Sequence, residues 1–183
     1  MKKAQIKSIQ GKTILLNPFS KKFVSQDYLN WMNNSETTKF IQKAKKNTSI
    51  NDLYTFANQM INSKVDYFFA IILKQNFQHI GNVRLGPIDF NSMISNFGIM
   101  IGNKDFRGCG VGTEVLELIK DFSFKHLKLK QLIFPAVEEY AAAMRLYEKA
   151  GFTSNKVKKT FNKNGESWKL VEWSMDNPYR YNN

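Results

Sequence analysis

Cysteine is nearly absent from this sequence. Cys109 is the only one in 183 residues, so no disulfide can form within the chain, which suits a reducing cytoplasm. Long hydrophobic runs are absent too, since no segment approaches the ~20 apolar residues that cross a bilayer. The start, MKKAQIKSIQGKTILL, lacks the apolar core of a secretory signal peptide. We therefore expect a cytoplasmic protein with no membrane partner.

Acidic residues and histidines are scarce. The chain has 15 Asp and Glu against 27 Lys and Arg, a net charge of +12, and only two histidines. The lysines are spread along the chain, and no aromatic-basic surface motif accompanies them, so we expect no nucleic-acid partner. His79 and His126 have no cysteine or carboxylate at ligand spacing, which predicts no metal site. A lysine-rich solvated surface accounts for most of the charge.

What the sequence does have is a hydrophobic period that changes along the chain. The predicted helices are 24–41, one that begins at Ser49 or Asn51, 111–122 and 138–152. The predicted strands are 11–19, 67–74, 79–88, 95–102, 128–137 and a closing hairpin around Asn164–Gly165. The unit from 95 to 137 is the one clear parallel crossover. No linker divides the chain, so the pattern predicts a mixed α/β (α+β) domain over residues 1–183.

Three glycines in five positions open the third predicted helix, in the stretch FRGCGVGT (106–113). Glycines permit positive φ and let backbone amides approach a ligand closely. The unpaired N–H groups and the dipole at the helix N-terminus favour phosphate, and Arg107 adds a cation whose fork suits phosphate oxygens. No lysine follows the last glycine, as a Walker A loop requires, and the spacing does not fit a dinucleotide fingerprint. The loop is therefore predicted to bind an anion.

Arg107, Gly110 and Gly112 fit the pattern Gln/Arg-x-x-Gly-x-Gly/Ala, and LYEKAGF (146–152) follows at a distance of 34 positions from Gly112 to Leu146. In both motifs the sequence resembles the GCN5-related N-acetyltransferase (GNAT) family. The resemblance implies a mostly antiparallel sheet with a central parallel strand pair, flanked by about four helices. It implies a single acetyltransferase domain with its acetyl-CoA motifs in 95–152.

Acetyl-CoA is the co-substrate that the resemblance implies. In this family the strand before the loop splays from its neighbour, the pantetheine arm pairs with its backbone, and the loop amides hold the pyrophosphate. The implied binding residues are Phe97, Ile99, Met100, Ile101, Arg107, Gly108, Cys109, Gly110, Val111, Gly112 and Thr113. Two positions depart from the family. Cys109 stands where a lysine or arginine is common, and Tyr140 stands where an asparagine is common.

Tyr147 matches the family residue that protonates or stabilises the leaving CoA thiolate. A phenol is suited to this role because it stays protonated at neutral pH. The base that takes a proton from the amine is less clear, because Asn96 occupies the position where many members carry a glutamate. Glu138 is our candidate, and Glu139, Asp89 or an ordered water are the alternatives.

The acceptor amine is expected on the side of the first helices, about 24–63, with Trp31, Asn34 and Glu36 as candidate contacts. The sequence of this region resembles that of the family branch that includes ribosomal-protein N-terminal acetyltransferases and amino-sugar acetyltransferases. A small amine such as a nucleotide-linked amino sugar is our first hypothesis. A protein N-terminus and a non-catalytic acyl-CoA-binding module are the alternatives. The oligomeric state stays open, with a homodimer as one option.

Overall fold

A computed structural model of the chain describes residues 6–41, 44–45, 47–155, 159–163 and 165–180. The strands are β1 (Ile9–Gln10), β2 (Ile14–Pro18), β3 (Tyr67–Leu73), β4 (His79–Asp89), β5 (Ile94–Ile101), β6 (Gln131–Val137), β7 (Thr153–Ser154), β8 (Lys159–Lys163) and β9 (Glu166–Asp176). The α-helices are α1 (Gln26–Asn33), α2 (Ser35–Thr38), α3 (Ile50–Asn62), α4 (Val111–Asp121) and α5 (Ala141–Lys149). Within these ranges no helix combines the length and the apolar character needed to cross a membrane.

All the described strands belong to one sheet in the order β1-β2-β3-β4-β5-β6-β9-β7, with β8 on β9. Every pairing is antiparallel except that between β5 and β6. The predicted fold class is confirmed. The helix predicted over 24–41 is instead two helices, because Asn34 adopts an extended conformation and its side chain caps α2 by accepting the Thr37 N–H at 2.9 Å.

β5 and β6 pair over only two positions, Ile94 with Gln131 and Ser95 with Leu132. Beyond Ser95, β5 continues to pair with β4, while β6 continues to pair with β9 as far as Val137. A bulge in β4 between Leu85 and Ile88 lies opposite the point where the two strands separate. We call the space between 96–101 and 133–137 the gap.

The sheet packs helices on both faces. On one face α4 and α5 cover a core that includes Val83, Leu85 and Phe97. On the other face α1 and α3 cover a smaller core built on Phe68, Ala70 and Ile72. Because side chains alternate along a strand, successive residues of β5 face these two cores in turn.

Two element boundaries differ from the predicted ones. β6 begins at Gln131 rather than at 128, because a π-helical turn over Phe122–His126 extends α4. α5 begins at Ala141 rather than at 138, because the Glu138 N–H still donates to the Lys169 carbonyl of β9 at 2.9 Å. The predicted left-handed end of this helix is confirmed at Gly151, whose φ is 85°. The turn predicted at Asn164–Gly165 includes Asn164, which lies outside the described residues.

Glu114 ties the first turn of α4 to the start of β2. Its carboxylate accepts the N–H of Thr13 at 2.8 Å, the N–H of Ile14 at 3.3 Å and the Thr13 hydroxyl. Burial of the carboxyl opposes ionisation, but these hydrogen bonds outweigh it and hold the pKa of Glu114 below its usual value. The helix that carries the glycine loop is thereby fixed to the sheet.

We expect Glu114→Gln to lower the free energy of unfolding by about 1 kcal/mol at neutral pH, because a charged acceptor is replaced by a neutral one. A depressed folded-state pKa stabilises the fold above the unfolded value and loses that effect as pH falls through the folded value. The difference between the two proteins should therefore shrink towards about pH 3. Urea unfolding followed by circular dichroism at both pH values measures it.

Glu117→Gln is the matched control on the same helix. Glu117, whose side chain is 53% exposed, pairs with Lys120 at 2.9 Å. Its replacement should change stability by less than about 0.5 kcal/mol. Equal losses for the two variants would contradict a specific role for the contact between Glu114 and Thr13.

Candidate functional site

The glycine loop takes a conformation that two of its glycines make possible. Gly108 and Gly110 have φ of 75° and 84°, in the left-handed region. A Cβ built on either residue would meet no atom within 4 Å, so the space in front of the loop is open. Gly110 is also the N-cap residue of α4. At these two positions the loop therefore presents main chain without a side chain near the helix N-terminus.

The backbone N–H groups of residues 108–113 make no well-formed hydrogen bond to another described residue. The amides on either side are occupied, since Arg107 N–H donates to Lys104 O at 3.1 Å and Glu114 N–H donates to Gly110 O at 3.1 Å. A run of free amides at a helix N-terminus fits the phosphate groups of acetyl-CoA. The residues present therefore suit that co-substrate.

The side chain of Arg107 turns away from this run of free amides. Its guanidinium donates to the carbonyls of Ile101 (3.0 Å) and Gly102 (3.2 Å) at the end of β5. It also donates to the Thr37 hydroxyl (2.7 Å) and lies 3.3 Å from the Glu36 carboxylate, both on α2. The sequence predicts that the Arg107 guanidinium binds phosphate. In this structure it is hydrogen-bonded to protein groups instead.

Tyr147 lies where β5 and β6 begin to separate. Its ring packs 6.1 Å from the ring of Phe97 on β5 and 4.7 Å from that of Phe134 on β6, measured between centroids. Its hydroxyl makes no hydrogen bond to a described residue. Burial, with a smaller effect of nearby Tyr140, raises the pKa of Tyr147 to about 12. The phenol therefore holds its proton at neutral pH and has it free to donate.

The candidates for the base differ in their positions and in their contacts. Asn96 is the first residue of β5 beyond the paired positions. Glu138 follows β6 directly, is exposed, and is 3.9 Å from the Lys169 ammonium. The Glu139 carboxylate accepts the Lys169 N–H at 3.2 Å. Asp89 pairs with Ile94 at the opposite end of β5 from the glycine loop, so it is less suited than Glu138 or Glu139.

The three candidate acceptor contacts all interact with other parts of the protein. Trp31 is buried in the core under α1, and a Cβ on Gly102 would collide with its indole. The Asn34 side chain caps α2. Glu36 pairs with Arg107, yet 78% of its side chain remains exposed. Contact of these residues with an acceptor stays a prediction.

Arg84 is a site residue that the sequence analysis missed. It lies opposite Gly98 in the β4–β5 pairing, so its side chain shares the face of Gly98 and Asn96. Its guanidinium binds Asp66 at 2.6 Å, and 35% of the side chain is exposed. A Cβ on Gly98 would meet nothing within 4 Å, so open space lies over this part of β5. Side chains alternate along a strand, so a sequence that places Val83 and Leu85 in the main core also indicates that Arg84 lies on the other face of the sheet.

An aromatic cluster also went unrecognised. The ring of Phe40, which follows α2, stacks on Tyr140 at 4.7 Å with an interplanar angle of 20°. It also meets Trp168 of β9 edge-on at 5.1 Å, and the Lys39 ammonium lies 5.1 Å from the Trp168 ring. Phe40, Tyr140 and Trp168 are far apart in sequence, and no short motif connects them. Only the folded chain brings them together.

The two histidines lie in different surroundings. The His79 ring lies 5.1 Å from that of Trp31 and 5.2 Å from that of Phe23, and burial lowers its pKa. His126 ends the π-helical turn. Across the described part of the chain, no group of three or more His, Cys, Asp and Glu side chains is placed to hold a metal ion.

Comparison with known proteins gives consistent results. Residues 13–153 match a family described as the acetyltransferase (GNAT) domain. The chain is similar to the probable N-acetyltransferase YjcK of Bacillus subtilis (strain 168), with 27% identity over 153 residues that cover 79% of this chain and 82% of that protein. It is also similar to an N-acetyltransferase 9-like protein of Nematostella vectensis, with 24% identity over 156 residues, 80% of this chain and 77% of the other.

Solved structures share the fold. Spermidine N-acetyltransferase from Vibrio cholerae, in complex with CoA and spermine, superposes with a TM-score of 0.82 at 22% identity, covering 93% of this chain and 99% of that one. A GNAT-family acetyltransferase from Bacillus anthracis gives a TM-score of 0.77 at 20% identity, covering 93% and 98%. The splayed mixed sheet with its five helices is therefore the GNAT fold.

Gly110→Ala should weaken binding of acetyl-CoA by about tenfold, because a Cβ strains the left-handed conformation and shifts the free amides. Cys109→Ala is the matched control one position away. Cys109 is exposed and has no positive φ, so its replacement should leave affinity and turnover unchanged. Isothermal titration with acetyl-CoA measures both variants. Equal affinity of Gly110→Ala and wild type would contradict a binding role for this loop.

Proposed function

The chain belongs to the GNAT acetyltransferase family, and on that premise we propose that it transfers the acetyl group of acetyl-CoA to a small primary amine at the gap between β5 and β6. The pyrophosphate would be held by the amides of 108–113. The pantetheine arm would lie along Phe97 to Ile101, whose edge facing β6 is unpaired. An extended ligand added to a free strand edge gains backbone hydrogen bonds, which favours this placement.

The position of Tyr147 is the observation that carries the proposal. Acetyl-CoA bound in the gap supplies a thioester whose carbonyl a neutral amine can attack. Tyr147 packs on both strands where they separate, and we propose that its hydroxyl reaches the head of the gap, the end at which the two strands part. A phenol that keeps its proton at neutral pH can donate it to the leaving sulfur. We therefore propose Tyr147 as the general acid.

Glu138 is our proposal for the group that takes the proton from the incoming ammonium. It follows β6 at the end where the gap is widest, and its carboxylate has only one distant ion-pair partner among the described residues. Asn96 lies closer to the head of the gap, but an amide cannot accept that proton. A water held by Asn96 and passing the proton outwards to Glu138 is consistent with both placements.

A nucleotide-linked amino sugar is the acceptor that we propose. Arg84 offers donors on the face of β5 that lies opposite Tyr147, beside open space over Gly98. The stacked rings of Phe40 and Tyr140 with Lys39 nearby suit a base and its phosphates. A polycation such as spermidine, the substrate named for the Vibrio cholerae enzyme, would bind through carboxylates, of which Glu36 pairs with Arg107 and Glu138 with Lys169, and it is the competing acceptor that the assay below includes.

Tyr147→Phe should lower kcat by roughly 100-fold and leave the Kd of acetyl-CoA unchanged, because the ring keeps its packing and only the proton donor is lost. CoA release is measured with a panel containing a nucleotide-linked amino sugar, a peptide with a free N-terminus and spermidine. Tyr54→Phe, on the exposed face of α3, is the matched control.

Each result of that assay decides between functions. Equal kcat for Tyr147→Phe and wild type would overturn the role of Tyr147. Faster release with the peptide or with spermidine would replace the proposed acceptor. Tight binding of acetyl-CoA without release for any amine would instead identify a non-catalytic acyl-CoA-binding module.

Gly98→Val tests the acceptor face separately. The added side chain has room in the free protein, so the melting temperature should stay unchanged. It would fill the open space beside Arg84 and raise the KM of the amine by about tenfold, with little change in acetyl-CoA affinity. Steady-state kinetics with each substrate varied in turn gives both values. An unchanged KM for the amine would show that the acceptor lies elsewhere.

A further inference from the structure

Residues 35–41, which comprise α2 and the three residues after it, are fixed at two points, and we call this segment the strap. The first point is Arg107, whose fork joins Glu36 and Thr37 to the carbonyls that end β5. Only a side chain with several fixed donors can hold both sets of groups together. The contact is well placed geometrically, since its shortest hydrogen bond, to the Thr37 hydroxyl, measures 2.7 Å.

The second point is Phe40 at the other end of the strap. It stacks on Tyr140, which follows β6, and it meets Trp168 of β9 edge-on. The contact is apolar and partly buried, and Lys39 adds a cation over the same rings. Phe40 therefore fixes the strap to the β6 side of the gap.

These two attachments place the strap across the gap. β5 and β6 are parallel, so their carboxyl ends lie at the same edge of the sheet. Arg107 follows β5 and Tyr140 follows β6 at that edge. A segment joined to both must cross the mouth of the gap, where the thioester and the amine of the proposed reaction would meet.

We propose that Arg107 is a positioning residue that holds the strap over the acceptor and couples it to the glycine loop, rather than a ligand of the pyrophosphate. This rests on the proposed function. Arg107 lies directly before the run of free amides, so one residue connects the strap to the loop that would hold the co-substrate. Binding of the amine then depends on the acetyl-CoA site through the side chain of Arg107.

Arg107→Lys keeps the charge and loses the fork, and we expect it to raise the KM of the amine by roughly tenfold or more. The Kd of acetyl-CoA should stay within about twofold, because the amides of 108–113 are untouched. Thr37→Val removes one acceptor on the strap and should raise the same KM by a smaller factor, because the contacts of Arg107 with Glu36 and β5 remain, while Thr37→Ser should restore wild-type values. The double variant Arg107→Lys/Thr37→Val should be no worse than Arg107→Lys alone, because the lysine has already lost the contact that Thr37→Val removes.

A larger Kd for acetyl-CoA in Arg107→Lys, with the KM of the amine unchanged, would overturn the proposal and indicate that Arg107 binds phosphate. Additive effects of the two substitutions would overturn the coupling. Lys125→Ala is the control, since it removes a lysine paired with Asp121 at 2.9 Å at the far end of α4. It should change neither constant.

Hydrogen exchange of residues 35–41 separates this proposal from the proposed function, because it needs no turnover. Faster exchange in Arg107→Lys than in wild type and in Lys125→Ala would support the strap even if no amine were acetylated. Equal exchange in all three proteins would overturn it, whatever the acetyltransferase assays give.

Discussion

The structure depends on one constraint: β5 and β6 pair for two residues and then separate, each keeping its other neighbour. A sheet interrupted at its centre leaves backbone donors and acceptors on two facing edges, which is costly unless a ligand or water satisfies them. The bulge in β4 and the aromatic rings of Phe97, Phe134 and Tyr147 keep the strands apart. Glu114 and Arg107 then position the glycine loop and the strap beside the opening.

Much of this could be predicted from the sequence, because the main signals are local. Strands from β2 to β6 follow hydrophobic runs, and the glycine loop and LYEKAGF lie in contiguous stretches of chain. The capping of α3 by Ser49 is also a local feature, and the structure confirms it. The division of α1 from α2 was missed because Phe40 was read on the same helical spacing as Val24 to Met32, although residues 33–39 are all polar and the extended conformation of Asn34 breaks the helix.

The remaining site features are contacts between distant segments, and no local pattern reports them. Arg107 was expected to face phosphate because of its neighbours in sequence, yet its partners on α2 are 70 and 71 positions away. Phe40, Tyr140 and Trp168 meet only after the sheet has formed. Trp31 was predicted as a contact of the acceptor amine; its burial in the core, where a glycine at position 102 leaves room for the indole, depends on residues distant in sequence.

The main-chain character of the glycine loop has a consequence for how such a protein can diversify. In the proposed reaction the amides hold the donor, so the identities of the side chains at positions 109, 111 and 113 are not dictated by phosphate recognition, and a cysteine is acceptable where a cation would be the obvious choice. Relatives that keep this backbone path can keep the same donor. Sequence differences among relatives can accumulate on the opposite face of β5 and on the strap, where side chains would contact the acceptor.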